Sequence, residues 1–467
     1  MSSNSDARDV MVVTDWTGGA RRNEQLEKVP SRIAYKAENE GFEEDQWGYE
    51  VEPGQKSYTW FKLLLDTNAM ATEFDNPHLQ KMQNKEGNGL LRTPRDKTAQ
   101  DVASDYLTFV YKHVVAKLAK TYTREVVKVT PIHYWFTHPA VWTDQANDAT
   151  RTAAETAGFT SRSIDELFMI TEPEAAAMSI LSESIEKGAH VYKVGMNVLI
   201  ADLGGGTIDV QVLKIISLDP LKTEEACEGS GGKSGSTYID FGLHEYMEAN
   251  FGEAFKKLPA AKIGAGSKFV EDFQVVPKTF NGKDLKKMFR LSLPALGKAL
   301  RDRRTSPTGY DFEDGDVLIR ASDVEQMFSP VVAVALSLIT EQYNLLEKIK
   351  ELPFRIIALC GGLGTSEYIW TKFQEHCDGI LEGKVELVTD ERAWSSVVRG
   401  ACVRGLEGNM VLAKKARRCY GVEVHQPFRE GIDKEEKAFT DDVGGKRAPG
   451  YVHWLVKKVS RPLSSAS

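Results

Sequence analysis

Residues Val198–Val210 read VLIADLGGGTIDV, and their types are those that bind phosphate and a divalent cation. An apolar run bounded by glycines is a buried strand entering a tight turn. Gly204, Gly205 and Gly206 keep side chains out of that turn, so backbone N–H groups can close around phosphate oxygens. Asp202 and Asp209 flank the turn and can hold Mg²⁺ directly or through water, while Thr207 offers a hydroxyl. From Ile208 to Ile215 the apolar residues alternate as in the returning strand of a hairpin. A glycine-rich turn with no ligand is the bland alternative. It needs one or two glycines, not three framed by two aspartates.

Other glycine-rich phosphate loops do not fit. A P-loop ends in Gly-Lys-Ser/Thr and runs into a helix, whereas a strand comes next here. A dinucleotide fold opens a helix with GxGxxG. Strand, aspartate, glycine turn and strand instead resembles the actin-like ATPase fold, where two such hairpins grip a nucleotide between two lobes. Further pieces of that fold are present in the right order. Residues 355–360 (RIIALC) are a second buried strand, followed by Gly361, Gly362, Leu363, Gly364, Thr365 and Ser366. Thr365 or Ser366 can cap the next helix, and the glycines let backbone approach an adenosine closely. Residues 169–178 (MITEPEAAAM) pass from an extended end through Pro173 into a helix with three alanines for close packing. Glu172 matches the glutamate of the fold's first connecting helix, near the metal and the attacking water. Residues 394–406 (WSSVVRGACVRGL), with Gly400 and Ala401 inside a helical pattern, resemble the second connecting helix.

Within that superfamily the chain resembles the seventy-kilodalton heat-shock chaperones, and more closely their divergent fungal-type branch, from about Val12 to about Lys457. Pro139-Ala140-Val141-Trp142 comes after the strand Ile132–Thr137, as a switch proline does in those ATPase domains. In Trp60–Asp66 (WFKLLLD), Lys62 stands where the family has its catalytic lysine. Residues 229–240, with Gly231 and Gly232, look like the segment that closes on the terminal phosphates. Lys283, Lys286 and Lys287 lie where the family stacks a helix on the adenine, although Lys283 replaces the family's glutamate. The resemblance thus implies catalytic roles for Lys62, Glu172, Asp202 and Thr207, with Asp202 and Asp209 at Mg²⁺. It implies nucleotide contacts from Gly204, Gly205, Gly206, Thr207, Gly231, Gly232, Lys286, Lys287, Gly361, Gly362, Gly364 and Ser366. ATP or ADP and Mg²⁺ are the implied cofactors, and client or co-chaperone proteins the implied partners. Local readings compete with these roles. Lys62 fits a snorkelling lysine, Glu172 a helix N-terminal acid and Lys283–Lys287 a solvated helix face. His133 and His138 lack a second ligand at metal spacing and read as structural.

The sequence departs from the family at both ends. The first phosphate hairpin should carry an Asp-x-Gly-Thr-Thr turn near the N-terminus. The nearest candidate, Val10–Gly19 with Asp15, looks more like the family's stretch just beyond that hairpin. The expectation is that the first two strands are missing, leaving a gap in the first lobe's sheet and fewer phosphate donors. After Leu406 only about 60 residues remain, with strands expected at Tyr420–Val424 and Tyr451–Val459, a loop at Gly444–Pro449 and a polar tail. That is too little for a full substrate domain.

The organisation expected is a first nucleotide-binding lobe at 1–195 and a second at 196–393, the latter with a helical insert. The returning helix occupies 394–409, and 410–467 is a short β-containing remnant. A core-facing helix spans Asp101–Thr121, and another spans Val331–Leu346 with Pro330 at its start. Ser182–Val194 and Pro259–Ser267 read as loops. The 467 residues fit about three units at ~150 residues each. A net charge of −8 argues against general nucleic-acid binding. No signal peptide or bilayer-long stretch is evident, and Cys360 and Cys402 sit in core patterns, so cytoplasm is the default. Three functions remain: a chaperone-like ATPase, a catalytically weak nucleotide sensor or degenerate ATPase, and a small-molecule kinase of the same superfamily.

Overall fold

Alternation and helical periodicity place the elements, and the computed structural model shows how they pack. It describes residues 10–18, 27–66, 75, 92–186, 192–300, 309–381, 385–390, 392–456 and 458. Strands β1 (Arg32–Ala34), β2 (Gln46–Trp47) and β3 (Tyr58–Thr59) form a small antiparallel sheet in the order β2-β1-β3. It packs on α1 (Ala99–Tyr122) through Ile33, Trp47, Tyr58, Phe61, Val102 and Tyr106. A capping box starts α1: Asp101 N donates to Thr98 Oγ1, and Thr98 N donates back to Asp101. Strand β4 (His133–His138), helix α2 (Asp144–Ala154) and strand β5 (Glu166–Thr171) form a parallel crossover unit. The first connecting helix, α3 (Glu172–Glu186), comes directly after it.

The larger lobe is built on one mixed sheet. Its strands are β6 (Asn197–Leu203), β7 (Ile208–Leu218), β8 (Leu221–Glu225) and β9 (Ser230–Gly232). Helices α4 (Thr237–Phe251) and α5 (Lys268–Thr279) come next. Strands β10 (Met288–Ser292), β11 (Tyr310–Asp311) and β12 (Asp316–Arg320) make a separate three-stranded sheet. Helix α6 (Ala321–Lys348), strand β13 (Phe354–Cys360), helix α7 (Glu367–Ile380) and strand β14 (Glu386–Thr389) complete the lobe. The sheet order is β14-β13-β6-β7-β8, with β9 also paired to β7. All seven residues of β6 are buried, as for a central strand covered on both faces. These mixed sheets flanked by helices are the α/β architecture expected. Helix α8 (Ser396–Glu407) then crosses back over α3, and β15 (Tyr420–Pro427), β16 (Phe439–Thr440) and β17 (Lys446–Val456) form a mostly exposed sheet.

Several local expectations need correction. Val10–Thr17 holds no strand: Trp16 stacks on His113 at 4.9 Å, and Asp15 pairs with Lys117 at 2.6 Å. Among the described residues β4 and β5 pair only with each other. Helix α6 begins ten residues before Val331, with Pro330 in its interior. Val324, Met327, Phe328, Val331 and Val332 are buried on both sides of the proline, and this continuous stripe carries the helix through the lost hydrogen bond. By length and composition α6 could also span a bilayer, contrary to the sequence expectation, but its apolar stripe lies in the main core. Helix α3 extends to Glu186, beyond the start of the loop expected at Ser182, and 187–191 lie outside the described residues. Pro259–Ser267 contains a short helix, Ala260–Ile263. β17 begins inside the expected Gly444–Pro449 loop and ends at Val456. Cys360 is buried as expected, whereas Cys402 is partly exposed.

The crossing of α3 and α8 depends on Gly400. A Cβ there would overlap the carbonyl oxygen of Ala175, so the helices approach backbone to side-chain-free backbone. Gly400→Ala is therefore expected to cost about 3 kcal/mol or more. Gly379→Ala, in α7 with nothing within 4 Å of its added Cβ, should stabilise by up to about 1 kcal/mol. Thermal unfolding of the two variants should shift in opposite directions.

Candidate functional site

The turn between β6 and β7 has its last strand pair at Leu203 and Ile208, and Gly204 N donates to Thr207 O at 3.0 Å. One step back, Asp202 stands directly opposite Asp209. The start of α4 fixes the turn's orientation. The amides of Ser236, Thr237 and Gly235 donate to the carbonyls of Gly204, Gly205 and Gly206 at 3.0, 2.9 and 3.2 Å. In planar trans peptides the N–H points away from the C=O, so the amides of Gly205, Gly206 and Thr207 are directed to the other side. The fold thus aims three donors one way. Gly235 is required for this clasp, because a Cβ there would collide with the Gly205 carbonyl.

Both aspartates are buried, and each keeps an unpaired oxygen. Asp209 Oδ1 accepts from Ala140 N at 2.9 Å, but Asp209 Oδ2 and Asp202 Oδ1 have no partner among the described residues. Burial pushes the Asp202 carboxyl up to about 8, with Glu172 and then Asp209 adding repulsion. Burial and Glu172 push Asp209 up to about 7, while Thr207, Lys62 and the Ala140 amide act in the opposite direction. The two titrate together. Glu172 opens α3 and accepts from Lys62 Nζ at 2.5 Å, so the lysine and glutamate form one ion pair across the cleft. Lys62 lies on the single turn Phe61–Leu65, its ammonium 5.6 Å from the Trp142 ring centre. It stays accessible to solvent, as a group that meets a ligand must.

These orphaned oxygens suit Mg²⁺. Among the described residues no three His, Cys, Asp or Glu side chains converge into a complete metal site. Mg²⁺ characteristically takes one or two carboxylates and fills its shell with water and phosphate oxygens. Asp202 and Asp209 fit that pattern.

The second glycine loop adjoins the first. Leu363 N donates to Leu203 O at 3.1 Å, and Gly361 N to Ala393 O at 3.1 Å. Gly361 has φ +79° and lies against Asp202, where a Cβ would collide with Oδ1. Gly362 faces open space, and Gly364 passes so close to the Cys360 carbonyl that an added Cβ would be 2.5 Å from it. Ser366 caps α7, accepting from Ile369 N at 3.5 Å. Gly231 and Gly232 lie on β9 opposite Asp209 and Ile208, which brings them beside the carboxylates. Lys283, Lys286 and Lys287 sit on a turn rather than the expected helix, with Gly282 at φ +73°. Lys283 reaches Glu367 at 2.5 Å, next to the second loop. Lys287 instead lies over the Phe289 ring, and the backbone amide of Lys286 donates to Asp284.

Three basic residues at the site carry no sequence signal. Lys233 reaches from the segment after β9 to the Asp66 carbonyl at 2.9 Å, joining the lobes. Arg417 donates to Ala140 O and to Gln211 Oε1, the latter at 3.0 Å. Lys28 lies with its ammonium 5.8 Å from the Trp394 ring centre. Each is a lone charge whose neighbours are set only by the tertiary fold.

Residues 66–254 match the family described as Hsp70 protein. The chaperone protein DnaK of Mycoplasmoides gallisepticum is 34% identical over 121 residues, 26% of this chain and 17% of that protein. Heat shock 70 kDa protein 12A of Mus musculus is 22% identical over 378 residues, covering 67% of this chain and 54% of its own length. DnaK of Ureaplasma parvum serovar 3 is 26% identical over 175 residues, 36% of this chain and 25% of that protein. The chain therefore spans about half, or less, of the length of these relatives.

The raised carboxyls predict a pH signature. Their folded-state values exceed the ordinary carboxylate range, so the stability they contribute is full at acid pH and is lost as pH rises toward about 8. Asp202→Asn, which removes one of these charges, should gain thermal stability over the ligand-free wild type between pH 5 and pH 8. Melting curves at both values check the sign. An unchanged difference would contradict it.

Proposed function

We propose, from the match of residues 66–254 to the Hsp70 protein family and the geometry of the site, that the cleft of this chain binds Mg-ATP and hydrolyses it slowly. The observation that carries the proposal is the pairing of two buried, half-satisfied aspartates with three amides aimed to one side of a glycine turn. Asp202 and Asp209 would hold Mg²⁺, which when bound neutralises charge building on the terminal phosphates. The turn amides of Gly205, Gly206 and Thr207 would bind the phosphate chain, with Gly231 and Gly232 closing from the second lobe. Glu172, held by Lys62, would orient the attacking water and accept its proton. Gly361, Gly362, Gly364 and Ser366 would border the adenosine, with the Lys283–Lys287 turn nearby. Closing of the lobes would then signal to a client or co-chaperone protein, giving a chaperone-like ATPase.

A weakly hydrolysing nucleotide sensor is the second reading. Among the described residues the first lobe sends no glycine turn into the cleft, and fewer phosphate donors mean less transition-state stabilisation.

Calorimetric binding of ATP with Mg²⁺, beside single-turnover hydrolysis, separates the readings. Hydrolysis by the wild type, reduced about 100-fold or more in Lys62→Ala and Asp202→Asn, would support the ATPase. Binding without hydrolysis would favour the sensor, and no binding would reject both.

A further inference from the structure

The first lobe sends a second lysine toward the cleft. Lys28 precedes β1 on a segment pinned at two points. Tyr49 Oη donates to the Lys28 carbonyl at 2.7 Å, and Val29 packs so tightly that a Cβ on Gly48 would be 2.6 Å from its side chain. With the backbone fixed, the side chain runs to the face of Trp394. Trp394 belongs to the turn Ala393–Ser395, whose first carbonyl accepts from Gly361 N. Gly361 in turn lies against Asp202. Lys28, Trp394, the Ala393–Ser395 turn, Gly361 and Asp202 thus form one series of neighbours, and the Asp202 charge acts on the Lys28 ammonium.

The electrostatics agree with that position. Surrounding protein holds the ammonium below the ordinary lysine value, against the pull of Asp202. The charge of Lys278, near the end of α5, lowers it further. Among the described residues no carboxylate forms an ion pair with Lys28. Lys28 thus stands as a cation without an ion-pair partner among the described residues, within the field of the buried Asp202 carboxyl. A partly desolvated lysine with no ion pair gains from a phosphate oxygen brought within reach.

We propose that Lys28 is a phosphate-binding residue of this cleft, contacting the polyphosphate of a bound nucleoside triphosphate from the first-lobe side. The assignment rests on the nucleotide-binding reading of the same cleft. It adds a side-chain donor that no glycine or aspartate motif announces. A lysine here acts as a point charge on the phosphates, and Trp394 guides its aliphatic stem.

The test is calorimetry with Mg-ATP and with adenosine, on the wild type, Lys28→Met and Lys28→Arg. Methionine keeps the stem against Trp394 and removes the charge, and melting curves verify that each variant folds. A charge-assisted contact predicts about tenfold or greater loss of ATP affinity in Lys28→Met, unchanged adenosine affinity, and near-complete recovery in Lys28→Arg. The wild type should also lose ATP affinity with added salt more steeply than Lys28→Met does. Equal ATP affinity in wild type and Lys28→Met would overturn the assignment while leaving the nucleotide reading intact. A parallel loss of ATP and adenosine would overturn it too, because it would mark a packing role beside Trp394. A wild type that binds neither ligand would reject the nucleotide reading and this assignment together.

Discussion

Three carboxylates, Glu172, Asp202 and Asp209, are buried side by side where the lobes meet, and their repulsion is the constraint around which the cleft is organised. Two of them face each other across an antiparallel pair, where like charges oppose folding. The first lobe supplies relief with two groups: the Lys62 ammonium on Glu172 and the Ala140 amide on Asp209. The relief is incomplete, since one oxygen on each aspartate remains without a partner among the described residues. A protein selected only for stability would replace such a cluster with apolar side chains. Its persistence makes sense if a cation completes it.

Close backbone approach is the second recurring device, and it concentrates at the same place. Gly235 lets the start of α4 take up the turn carbonyls, and Gly361 lets the second loop rest on Asp202. Gly400 lets the two connecting helices cross almost in contact. Each position excludes a Cβ for a different neighbour, and together they bring three separate segments within reach of one small volume. Side chains would have kept those backbones apart, and the orphan oxygens would have faced solvent instead of a shaped cleft.

Much of this was legible in the sequence where the signal is local. The hairpin at 198–210, the glycine loop after Cys360, the Glu172 helix and the Gly400 helix each announce themselves by spacing within about a dozen residues, and each was found in place. The register that sets Asp202 against Asp209 is dictated by the turn length alone. Illegible features depend on distant partners. Pro330 reads as a helix start by local rules, yet a buried stripe on both sides of it overrides them. The turn at 281–287 has enough lysines to resemble a helix face, but Gly282 at positive φ docks beside Tyr368 and stops one from forming. Lys28, Lys233 and Arg417 are single basic residues in a chain with 59, and nothing near them in sequence distinguishes them.

The segment leaving α8 shows how the site is tied to the rest of the chain. Thr223 N donates to Met410 O and Leu412 N to Thr223 O, so this segment runs beside β8 as an added edge strand. Lys414 pairs with Glu174, two residues after Glu172, while Lys415 N and the Arg417 guanidinium both engage Glu225. Arg417 then reaches the carbonyl of Ala140, the residue whose own amide holds Asp209. A shift of Pro139–Ala140 would lengthen both hydrogen bonds at once, one to a buried carboxylate and one to a cation, and charged hydrogen bonds resist that more than neutral ones. The exposed sheet β15–β17 therefore leaves the molecule through a strap whose hold on the lobes shares a residue with the proposed metal carboxylate.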